Sequence, residues 1–233
     1  MARTLLQLVQ DVCSDVGQPR PNVVVSSTSE TPVRMFRLLN KAGLSLIKEV
    51  TWNELTTIRS FNAVAAQAQI EPPSDYSHMT PNTSLWDQTL KRPSVGPLSK
   101  DNWLNLLSNM TVGGDKYWTL INNKINIYPT PTTSDAFTYA YQSKNWVIDV
   151  DDNHLPAFTA DTDEPLIDDE LLALELVWRW KSAIGIDYAE DMANAGRRKE
   201  LIISANRGPT ILETSSPWQG ELPDGFWPGV IRT

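Results

Sequence analysis

The chain has 233 residues, 41% of them apolar, and carries 20 Lys and Arg against 28 Asp and Glu for a net charge of -8. This length and composition suit one substantial core with room for an insertion. The acidic balance argues against a protein that grips nucleic acid, because affinity for phosphates rests on Lys and Arg displacing counterions. A single cysteine, Cys13, excludes an internal disulfide.

MARTLLQLVQDVCSDVG opens without a basic segment followed by an apolar one, so no signal peptide is visible and a protein made and kept in a cytosol is expected. Residues 4 to 16 form an amphipathic helical pattern with Thr4 as N-cap and Gly17 just past the end. Cys13 shares its stripe with Leu5, Leu8, Val9 and Val12 and is expected to be core filler. In SETPVRMFRLLNKAGLSLIKEV, Thr31 can cap a second helix with Pro32 at its first position. Met35, Leu38, Leu39, Ala42, Leu46, Ile47 and Val50 make its core-facing stripe.

From Trp52 the texture changes to short runs broken by Pro, Asn and Gly. TTIRSFNAV, KYWTLI, KINIY and FTYAYQ are rich in β-branched and aromatic residues. In YWTLI-NN-KINIY, Asn122 and Asn123 tolerate positive φ and predict a tight hairpin. The expected organisation is α+β. A helical body from residues 1–51 and 165–206 carries an inserted antiparallel β module at 52–148, an acidic linker at 149–164 and an extended C-terminal arm at 207–233. The last two helices are expected over 165–184 and 187–205, with a break near Gly185.

Nine acids and no Lys or Arg lie between residues 149 and 170, so the rest of the chain sums to +1. DVDDN offers oxygens at 149, 151 and 153, but a calcium loop needs Gly at its sixth position and Glu at its twelfth. His154 and Ala160 stand there, which favours a solvated loop over a metal site. Asp168, Asp169 and Glu170 complement the dipole of the helix they open. His78 and His154 lie outside any metal spacing, and no GxGxxG, P-loop or GxSxG is present, so neither an enzyme nor a bound cofactor is expected. The nine tryptophans admit a binding alternative, a carbohydrate-binding protein with a platform of exposed indoles.

The segment LLALELVWRWKSAI poses a different question. On a helical wheel Leu171, Leu174 and Trp178 lie on one flank, and Leu172, Leu176 and Trp180 on the other. Glu175, Arg179 and Lys181 interrupt the run too often for a membrane span. The helix is therefore expected to be buried in protein, either central in a large domain or shared between subunits. The C-terminal arm holds four prolines and four glycines yet keeps Trp218, Phe226 and Trp227, which mark it as a docking segment rather than a plain tail.

Taken in order, LLQLVQDVCSDVG, VRMFRLLNKAGLSLIKEVTWNEL, LWDQTLKRPSVGPLS, INIYPTP, YAYQSKNWV and FTADTDEPLIDDELLALELVWRWKSAIGIDYAED resemble the head-to-tail adaptor (connector) proteins of tailed double-stranded DNA bacteriophages, the tail tubular protein A and tail accessory factor type. The likeness covers most of residues 4 to 192. It departs at QIEPPSDY, where Ile70, Glu71 and Pro72 replace the usual aromatic-Leu-Pro, and it does not reach 207–233.

The resemblance implies a structural virion protein, assembled in the host bacterial cytoplasm and placed at the head-tail junction. It would form a ring, commonly of twelve copies, that joins the portal protein to a tail tube or nozzle protein. Genomic DNA would pass through the lumen without specific binding, and the ring would help retain it. No membrane is involved. In that setting the two-flanked helix would close the ring through heterologous contacts. Trp218, Phe226 and Trp227 would dock on the portal or on a neighbour.

Overall fold

Two reciprocal hydrogen bonds start the first helix. The Thr4 N–H donates to Gln7 Oε1 (3.0 Å) and Thr4 Oγ1 accepts from the Gln7 N–H (3.4 Å), a capping box with Gln at the third helical position. The computed structural model describes residues 3–81, 83–109, 114–132 and 135–207. Helix α1 runs over Leu5–Asp15, and Gly17, at φ +68°, takes the left-handed turn that releases the chain. Cys13 is fully buried beside Met35, as its place in the stripe implied.

Helix α2 spans Glu30–Glu49 with Ser29 as N-cap, so it starts before the expected Thr31 cap. Pro32 becomes its third residue instead of its first. Both starts suit a proline, because no N–H of the first helical turn has a partner within the helix. Met35, Leu39, Ala42, Leu46 and Ile47 are buried along it, while Leu38 is only partly so.

The strands that follow are β1 (Thr56–Asn62), β2 (Gln69–Ile70), β3 (Tyr76–Met79), β4 (Trp86–Asp87) and β5 (Arg92–Pro93). After helix α3 (Lys100–Asn109) come β6 (Tyr117–Ile121), β7 (Lys124–Tyr128) and β8 (Ala136–Ser143). β8 is the spine of one sheet, pairing with β1 along its whole length and with β3 and β4, which in turn pairs with β5. β2, β7 and β6 make a second sheet, and its β6–β7 hairpin turns through Asn122 (φ 54°) and Asn123 (φ 58°). Helix α3 was not expected inside this all-β stretch. It buries only Trp103, and a helix that buries one side chain leaves no periodic stripe in the sequence.

The acidic segment is folded rather than a plain linker. β9 (Val147–Ile148) pairs with both β10 (His154–Leu155) and β11 (Glu164–Pro165). Because β11 occupies 164–165, helix α4 begins at Asp169 and ends at Ile184, later than the expected start at 165. α5 then covers Ala189–Arg207.

Two apolar cores result. One unites α1, α2, α4 and α5 with Trp52, Trp146 and Phe158; the other lies within the sheets around Leu85, Trp118, Ile125, Ile127, Phe137, Tyr139 and Tyr141. The architecture is α+β. Among the described residues no helix is long and apolar enough to cross a membrane.

Candidate subunit interface

Helix α4 is fixed at both ends. Asp168 is its N-cap, with Oδ1 accepting the Leu171 N–H at 2.7 Å, while Arg198 of α5 reaches the same carboxylate at 2.8 Å. Beside it Asp169 accepts from the Arg3 guanidinium at 2.9 Å. Burial pushes the Asp169 carboxyl up, but the hydrogen bond and charge of Arg3 outweigh it and hold the group below its ordinary range. At the other end Gly185, at φ +78°, closes the helix, and Arg34 of α2 donates to the Ala183 carbonyl while stacking over the Trp180 ring. A cation there suits the negative end of the helix dipole.

α1, α2 and α5 all pack on α4, so one chain covers most of both flanks. Of the six interface candidates, Leu171, Leu172 and Leu176 are fully buried and Trp180 is buried too. These four have no surface left for a neighbour. The expectation of one flank per subunit overlooked α5, which supplies the lid from the same chain. Leu174 and Trp178 are the two that stay partly open. Trp178 is held by its indole N–H donating to Glu175 Oε2 (2.9 Å), by the Arg179 guanidinium over its ring (4.5 Å) and by Tyr188 alongside (6.1 Å). Glu175 is itself buried and pairs with Arg179 at 2.9 Å, so the polar residues of this flank satisfy one another.

An open apolar surface lies one turn further on. Ile184, Ile186, Tyr188 and Met192 surround the α4–α5 corner, with Ile186 55% and Met192 52% exposed. Sequence reasoning passed over them because they straddle Gly185 and share no helical stripe. The signal was the apolar spacing of IGIDYAEDM around a helix break.

The acids of 149–170 divide by role. Asp163 is buried and takes the N–H groups of Thr159 (2.7 Å) and Ala160 (2.8 Å) and the Thr159 hydroxyl (3.0 Å). Asp161 accepts from the backbone of Val24 and Val25, tying this segment to the loop after α1. These two correct the picture of a wholly solvated loop. Asp151 and Asp152 are exposed, and Asp149 accepts from Asp151 and Asn153 within its own turn. Among the described residues no group of three or more His, Cys, Asp or Glu is placed to hold a metal ion. Neutralising Asp149, Asp151 and Asp152 together to Asn is expected to leave the melting temperature unchanged, with or without added divalent cations. Stabilisation by calcium that the triple variant loses would establish a site there.

None of the seven described tryptophans is exposed: Trp52, Trp103, Trp118, Trp146 and Trp180 are buried, and Trp86 and Trp178 are partly so. A platform of open indoles for sugar is therefore not found among them. Trp218, Phe226 and Trp227 lie outside the described residues.

The model of the SU10 adaptor protein family matches residues 3–207 of the chain. The chain belongs to the SU10 adaptor protein family. It is a phage structural adaptor by that membership, and the family is not an enzyme family. No curated protein matches it. The matched span begins at Arg3, which salt-bridges Asp169 at the start of α4, and ends with the last residue of α5. The family match therefore spans every described helix and strand, and residues 208–233 fall outside it.

Proposed function

We propose that the chain is the ring-forming head-to-tail adaptor of a tailed phage. Copies of it close beneath the portal through the apolar α4–α5 corner and not the buried flanks of α4, extend the DNA channel toward the tail tube or nozzle, and help retain the packaged genome. The observation that carries this reading is the pairing of adaptor-family membership over 3–207 with an exposed apolar corner built from Ile184, Ile186, Tyr188 and Met192 beside Trp178. A corner of this kind on one subunit and a different patch on the next give a heterologous contact that closes by rotation; twelve copies is the number the family resemblance suggests. The net charge of -8 fits a wall past which DNA slides, since strong phosphate attraction would hold it. Trp218, Phe226 and Trp227 are the proposed anchors on the portal or on a neighbouring subunit.

Mass measurement of the purified protein, alone and with portal rings, tests the assignment. Wild type should form a ring or add to the portal as one. The double variant I186D/M192D should fold with stability within about 0.5 kcal/mol of wild type, both sites being exposed, yet remain monomeric and leave the portal bare. Rings of normal mass from that variant would remove the corner from the interface.

A further inference from the structure

Strand β1 is an edge. β8 pairs with it residue for residue from Thr56↔Gln142 to Asn62↔Ala136, and among the described residues no strand pairs with its other side. The outward N–H and C=O groups of every other residue of this seven-residue strand are thereby left open, and Ile58 on it is 72% exposed. Long unprotected edges are uncommon in folded proteins because they recruit other strands. β1 has none of the usual defences: it contains no proline, and its one charge, Arg59, is turned to the Glu71 carbonyl and the Tyr139 hydroxyl.

The end of α5 is fastened beside the start of this strand. The Asn206 amide donates to the Thr51 carbonyl at 3.2 Å and accepts from the Asn53 amide at 3.4 Å, which sets residue 206 level with residue 52. Asn206 and Thr56 also line the same cleft, of about 680 Å³. Three residues separate Trp52 from β1, namely 53–55. Three residues, 207–209, likewise separate Asn206 from the segment Thr210-Ile211-Leu212-Glu213-Thr214-Ser215-Ser216, which lies between Pro209 and Pro217. That segment is as long as β1, contains two Thr and an Ile, and has prolines only at its two borders, where they end pairing without interrupting it.

Carrying the 206-to-52 level forward in equal steps would give a parallel register in which Thr210 meets Thr56, Leu212 meets Ile58, Glu213 meets Arg59 and Ser216 meets Asn62. Both the apolar pair and the charge pair then match, and they do so on opposite faces as strand alternation requires. We propose that residues 210–216 add to β1 of the same chain as a parallel edge strand. The three-residue tether, starting at the edge itself, gives the chain's own segment an effective concentration that a second copy would have to exceed. The added strand covers Ile58 and fixes where the arm departs, at the Asn62 end of the sheet, so that Trp218, Phe226 and Trp227 project from a set point. The inference rests on β1 and Asn206 and not on ring formation, so either can fail alone.

Hydrogen exchange on the full-length chain, at dilutions where its mass is that of a monomer, tests the proposal. The amides of alternate residues within 210–216, those that face β1, should exchange at least about tenfold more slowly than their free-chain rates, while those of 219–233 should not. The double variant I211P/L212P should abolish that protection and speed exchange in β1, whereas Q219P, beyond the segment, should leave both as in wild type. E213R should weaken protection, and R59E in the same chain should restore it, which tests the register itself. Free-chain exchange of 210–216 in the monomer would overturn the proposal, even if the segment became protected in an assembled ring.

Discussion

Gly43→Ala is expected to destabilise the protein by about 3 kcal/mol, although the same change at an exposed helical site would add stability by roughly 1 kcal/mol. Gly43 lies in α2 against the six-membered ring of Trp146, where a Cβ would overlap the indole. The ring has nowhere to retreat. Its N–H donates to the Pro156 carbonyl at 2.7 Å, and Phe158 packs edge-on against it with centroids 5.0 Å apart. Trp146→Ala should cost about 3 to 5 kcal/mol by leaving a cavity in the helical core. The decisive measurement is the pair. Once the indole is gone the alanine methyl has space, so G43A/W146A should be no less stable than W146A alone in urea unfolding. Additive losses would show that the glycine serves the backbone and not the ring.

That contact shows what the sequence made legible and what it did not. α1 and α2 were readable because each turns one stripe inward, and Thr4, Gly17 and the Asn122-Asn123 turn declare their geometry locally. The central position of α4 was visible as apolar residues on both flanks, but what covers them was not. α5 has only Ala195 fully buried and reaches α4 largely through charged and partly buried groups, such as Lys181 with Asp191 at 2.6 Å. A cover of that kind leaves no apolar stripe, so the missing lid was attributed to a neighbour. The same limit applies to Gly43, whose partner lies about a hundred residues away in sequence. Asp161 and Asp163 read as part of a charge run, since nothing local distinguishes an acid that faces water from one that gathers backbone N–H groups.

Gln142→Leu is expected to cost about 3 to 5 kcal/mol, a large effect for removing one amide. Gln142 lies on β8, fully buried, where the sheet meets the end of α2. Its Oε1 accepts the Trp52 N–H at 2.9 Å, and its Nε2 donates to the carbonyls of Ile47 (2.7 Å) and Val50 (3.3 Å). The last carbonyls of a helix lack partners within it, and here a strand of the sheet supplies them. Leucine fills the volume but strands three buried backbone groups, each costing about 1 to 3 kcal/mol less whatever relaxation recovers.

Q142E separates this account from simple packing. Its carboxylate keeps the acceptor for Trp52 but turns a second oxygen toward two carbonyls, so it should be destabilised at neutral pH as much as Q142L or more. Burial and the two carbonyls favour the protonated acid, which raises its pKa in the folded state above the unfolded value. The native state then binds the extra proton, and stability recovers as pH falls through that raised pKa. The deficit of Q142E against wild type should therefore shrink on mild acidification while that of Q142L stays constant. Equal pH dependence in the two variants would mean that the amide's donors do not hold the end of α2. Recovery confined to Q142E would identify this side chain as the joint that keeps the helical body and the sheet at a fixed angle, which an adaptor bridging two partners needs.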